Sequence, residues 1–111
     1  MKTPYTATTV RSLKFKNPIN GFDAIPEGAE ISVTWEGIRP KATIPAIQAE
    51  PMMLSNKGVA LLLGFPIPDI DTLEEWHNED GGCESVLGEW VEPDGYDQYG
   101  APSWMLTLGL I

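Results

Sequence analysis

After Lys57 the chain contains no lysine and no arginine. All seven basic residues, Lys2, Arg11, Lys14, Lys16, Arg39, Lys41 and Lys57, precede Gly58, where five acids leave a net charge of +2. From Gly58 onward eleven acids stand unopposed, and that part carries −11. Direct nucleic-acid binding is disfavoured, because the patch that Arg11, Lys14 and Lys16 can form is small and the acids repel phosphate. The single cysteine, Cys83, permits no internal disulfide and so asks for no oxidising compartment. With one histidine, His77, the chain falls short of the four nitrogen or sulfur ligands of a structural zinc site. The longest apolar run, Val59 to Ile67, is broken by Pro66 and is about half of a membrane span. It belongs to a core. The start MKTPYTATTV lacks the apolar centre of a signal peptide, which makes the cytoplasm the expected location. No phosphate-loop, dinucleotide or nucleophile-elbow pattern occurs.

What is present fits one folded unit over residues 1–111, since 42% hydrophobic content supplies a single core. Ten prolines and eleven glycines imply many turns and short elements. The expected class is α+β, a small and mostly antiparallel sheet with one or two short helices.

Thr8 to Lys16 reads as a strand with Leu13 and Phe15 inward and a basic outer side, followed by turns at NPING and IPEG. EISVTWE, residues 30–36, alternates cleanly, with Ile31, Val33 and Trp35 on one face. KATIPAIQ contains Pro45, which has no N–H for a ladder, so the expectation is an edge strand. Residues 51–65 fit a helix with Pro51 in its first turn and Gly64 past its end, or alternatively a buried strand after Gly58. Asp71 and Glu74 form a capping-box pattern for a helix over about residues 71–78, with Ile70, Leu73, Trp76 and His77 on its inner side. Gly81 and Gly82 end it. SVLGEWVE reads as a strand, and SWMLTLGLI as a closing central strand with Trp104, Leu106, Leu108 and Leu110 on one face. Removing the last few residues is then expected to unfold the chain.

The chemistry-bearing residues form no recognised catalytic pattern. Glu74, His77, Asp80 and Cys83 lie close in sequence, and Glu92, Asp94 and Asp97 surround Gly95, but neither spacing matches a zinc or EF-hand site. No cofactor is expected. Cys83 with His77 is the one nucleophile–base pairing on offer. Packing and the favourable C-terminal end of a helix account for His77, and the carboxylates near Cys83 disfavour its thiolate. No enzyme is expected.

The base-free half therefore reads as a surface for a basic protein. Its expected contacts are the carboxylates Asp71, Glu74, Glu75, Glu79, Asp80, Glu84, Glu89, Glu92, Asp94 and Asp97, with Trp76, Trp90, Tyr96 and Tyr99 interleaved as aromatic anchors. The sharper expectation is an inhibitor that mimics nucleic-acid charge on a nucleic-acid-binding enzyme, as small acidic anti-restriction and anti-CRISPR proteins of phages and plasmids do. That likeness is one of size and charge. A domain about 34 Å across spans duplex carrying on the order of 20 phosphate charges, and eleven acids reach about half of that. Two other classes stay open: a structural or assembly subunit whose acids serve solubility, and a small metal-dependent enzyme.

Overall fold

The computed structural model describes residues 3–110. Lys2 of the basic set and Ile111 of the expected closing strand lie outside them. Strand β1 (Tyr5–Thr8) is followed by a hairpin of β2 (Leu13–Ile19) and β3 (Phe22–Ile25), then by β4 (Glu30–Glu36), β5 (Arg39–Ile44) and β6 (Gln48–Met53). Four of these form an antiparallel sheet in the order β1-β4-β5-β6, and β2-β3 is a separate two-stranded ribbon inserted between its first two members.

Strand β4 occupies the expected EISVTWE residues, and its inner face, Ile31, Val33 and Trp35, is buried. Val33 stands opposite Ala42 and Trp35 opposite Pro40, so β5 continues the same apolar face. Lys14 and Lys16 point outward while Leu13 and Phe15 pack against the core, as the alternation requires. The strand that carries them starts later than expected. Thr9 interrupts it, because its hydroxyl donates to the Pro26 carbonyl at 2.7 Å and accepts from the Ala29 N–H at 2.9 Å. The ribbon turns at Asn20-Gly21, with φ of 50° and 83°, the left-handed pair that matches the twist of a two-residue hairpin. Asn17 to Ile19 therefore remain in the strand.

The expected edge position of KATIPAIQ is overturned. Strand β5 lies inside the sheet, and Pro45 sits in the turn to β6, where a missing N–H costs nothing. Within the four-stranded sheet the proline that lies on an edge strand is Pro51 of β6. Helix α1 (Asn56–Leu63) begins after the Ser55 hydroxyl accepts from the Gly58 N–H at 3.0 Å. It starts five residues beyond Pro51, since residues 51–53 find a sheet partner in β5 and Ser55 supplies the cap. Gly64 ends it as expected.

The acidic half departs further from the sequence reading. Helix α2 (Ile70–Glu75) is capped by Asp69 rather than Asp71, and it passes into a π-helical turn, Trp76–Asp80, stopped by Gly81. SVLGEWVE is not one strand. It lies within a small hairpin of β7 (Cys83–Glu84) and β8 (Trp90–Val91), with the Ser85 hydroxyl accepting from the N–H groups of Leu87 and Glu89 in the connection. The closing segment is a helix, α3 (Trp104–Thr107), and not a central strand. Ser103 caps it, and Trp104 and Met105 are both buried, which a strand covered on one face alone cannot achieve. Leu110, expected inward, is 51% exposed. The result is a small α+β domain with antiparallel sheets and three short helices, one more than expected.

Candidate protein-binding surface

Nine of the eleven acids after Gly58 are exposed, and Glu84 and Asp97 are partly buried. Among the described residues the one salt bridge joins Lys41 to Glu36 at 2.7 Å, so none of these eleven carboxylates is neutralised by an ion pair. The cause is compositional, since the neighbouring chain supplies no cation. The Asp69 carboxyl is held below the usual carboxylate range, because it accepts the backbone and side-chain hydrogen bonds of Thr72 at the start of α2.

Two tryptophans join the acidic segments. The rings of Trp76, on the π turn, and Trp90, on β8, meet edge to face with centroids 5.6 Å apart at 88°. This contact brings Glu75 and Glu79 toward the hairpin that carries Glu84 and Glu89. Gly82 makes room for it: a β-carbon there would collide with Trp90 Nε1 and its ring. The adjacent glycines thus do different jobs. Gly81 takes the left-handed φ of 62° that stops the helical segment, and Gly82 lets an indole lie against bare backbone. Trp90 is nevertheless 54% exposed and Trp76 partly buried, which leaves a braced indole facing solvent, with the exposed Glu89 beside it in the chain.

Other expected contacts have internal work. Asp97 accepts from the Ser85 hydroxyl at 2.7 Å through one oxygen, and from the N–H groups of Tyr99 and Ala101 through the other. It orders the loop that returns to α3. Tyr99 packs edge to face on Tyr5 at 5.1 Å, and Tyr5 meets Phe65 at 6.2 Å, so this ring ties the C-terminal loop to β1. Tyr96 is exposed, as are Asp71, Glu74, Asp80, Glu92 and Asp94. The bond that engages Asp97 was not readable in advance, because Ser85 lies twelve residues away on another turn.

The face of α2 and the π turn that carries Ile70, Leu73 and His77 is only partly covered. Leu73 is buried, but Ile70 is 59% exposed and His77 is exposed, because a single turn of α3 is too short to close over them. A groove of about 330 Å³ results, lined by Ile70, Leu73, Glu74, His77, Asn78, Met105 and Leu110. Sequence reasoning missed Met105 and Leu110 as its other wall. Alternation had placed them on opposite faces of a strand.

Cys83 does not share this environment. It is buried, its thiol donates to the Glu84 carbonyl at 3.2 Å, and burial pushes its pKa up. Among the described residues no three His, Cys, Asp or Glu side chains come together in an arrangement that could hold a metal ion. No described helix is long and apolar enough to cross a membrane. No family model, curated protein or solved structure matches this chain.

Proposed function

We propose that this protein is a non-enzymatic binding module that docks a basic protein surface on its acidic C-terminal half. The observation that carries this reading is Trp90, 54% exposed, braced against Trp76 and flanked in the chain by the exposed carboxylates of Glu89 and Glu92, neither of which has an ion-pair partner among the described residues. An exposed indole held in one orientation loses little entropy on binding, and unpaired charges around it steer a cationic partner.

A target that otherwise holds nucleic acid fits this chemistry, which makes the protein an inhibitor of such a target. Charge alone does not suffice for that role. The molecule is 47 Å long, a length of duplex that carries about 28 phosphate charges, against eleven carboxylates in its acidic half. The tryptophan pair supplies the remaining attraction. The test is capture of interacting proteins from a host lysate at low and high salt by the native protein, Trp90→Ala and the double variant Glu74→Lys, Glu75→Lys. Salt-sensitive capture of a basic, nucleic-acid-binding protein, lost in both variants and competed by duplex DNA, is the expected result. Undiminished capture by both variants would overturn the proposal.

A further inference from the structure

The groove between α2, the π turn and α3 has a specific shape and charge. Its floor is Leu73 and Met105, both buried, and its walls include Ile70 and Leu110, each more than half exposed. Its rim is polar, with Glu74, His77 and Asn78. A volume of about 330 Å³ lies at the low end of small-ligand pockets, enough for a few apolar side chains. Asp71 and Glu75 lie on the same helix, exposed and without an ion-pair partner among the described residues.

We infer that this groove seats the apolar face of a basic amphipathic helix of the partner. This rests on the function proposed above and names the form its partner takes. Charge complementarity selects the sign: an occupant with lysine or arginine beside its apolar residues pairs with Glu74, and an anionic one is repelled. Backbone chemistry selects the helix. The groove is lined by helical segments and the residues just beyond α3, with no strand residue at its margin. An extended segment would find no ladder of N–H and C=O groups to satisfy its own backbone, whereas a helix arrives with those groups already paired. The groove adjoins the tryptophan pair, since Trp76 and His77 are consecutive on the π turn. One docked partner can therefore cover both. A second copy of this chain is disfavoured, because each copy brings a net charge of −9.

Three synthetic peptides test the inference: an amphipathic Leu/Lys helix, a Ser/Lys peptide of equal charge, and a Leu/Glu helix of the same pattern. The Leu/Lys helix is expected to bind at least about tenfold more tightly than either control, with amide shift changes at residues 70–78 and 105–110. Ile70→Glu adds attraction for lysine yet fills the groove with charge, so binding that falls about tenfold in this variant marks the apolar seat. Equal binding of the Ser/Lys peptide, or unchanged binding by Ile70→Glu, would overturn the groove assignment. So would a dimer seen by sedimentation that Ile70→Glu dissolves. A natural partner lost in Trp90→Ala but retained by Ile70→Glu sinks the groove alone, and one retained by both variants and by the charge-reversed double variant sinks the underlying function as well.

Discussion

Trp35 and Trp104 are both buried, and their indole nitrogens meet different fates. Trp35 Nε1 donates to Asn56 Oδ1 at 2.8 Å, and Asn56 in turn donates to the Ile38 carbonyl at 2.7 Å, which pins the start of α1 to the β4–β5 turn. Trp104 Nε1 is buried without a hydrogen-bond partner among the described residues. Replacing either ring by phenylalanine removes similar apolar volume, but Trp35→Phe also strands a buried amide oxygen. In urea unfolding, Trp35→Phe is expected to cost about 1–3 kcal/mol more than Trp104→Phe. Equal losses would show that the Asn56 contact contributes nothing. The burial of both rings was readable from their apolar neighbours. The partners of their nitrogens were not, because Asn56 is twenty-one residues from Trp35.

At the scale of elements, residues with a local physical signature matched the structure. β4 alternates over seven residues, and α1 ends at its glycine. The segment after Ala101 shows the limit of that approach. Trp104, Leu106, Leu108 and Leu110 alternate, but a helix of one turn is too short for its own period to register. Ser103 decides the matter: its hydroxyl accepts from the Leu106 N–H at 3.1 Å and donates to the Pro93 carbonyl. Ser103→Ala is expected to destabilise the domain by about 1–2 kcal/mol in denaturant titration, the range for losing a helix cap. A neutral effect would remove the cap as the reason this segment is helical. The hairpin of β7 and β8 was missed for a related reason, since its strands have two residues each and the turn between them contains the buried Val86 and Leu87.

For the whole molecule, charge is the dominant asymmetry. Its radius of gyration is 14.3 Å, and one ion pair among the described residues leaves a net charge of −9 poorly compensated. Self-repulsion of this kind weakens the folded state and is relieved by salt. Thermal melting is therefore expected to shift upward as sodium chloride rises from about 10 to about 300 mM, where the screening length falls below the separation of most surface charges. A downward shift would mean that attractive pairs prevail. The sequence by itself determined the segregation of charge, the inner face of β4 and the extent to which glycine punctuates the chain, because each is a property of neighbouring residues. Only the tertiary structure decided that Trp90 faces solvent while Tyr99 ties down β1, that Asp97 is spent on its own loop, and that α3 leaves an open groove beside α2. Those outcomes depend on which distant segments meet, and periodicity carries no information about contacts between residues far apart along the chain.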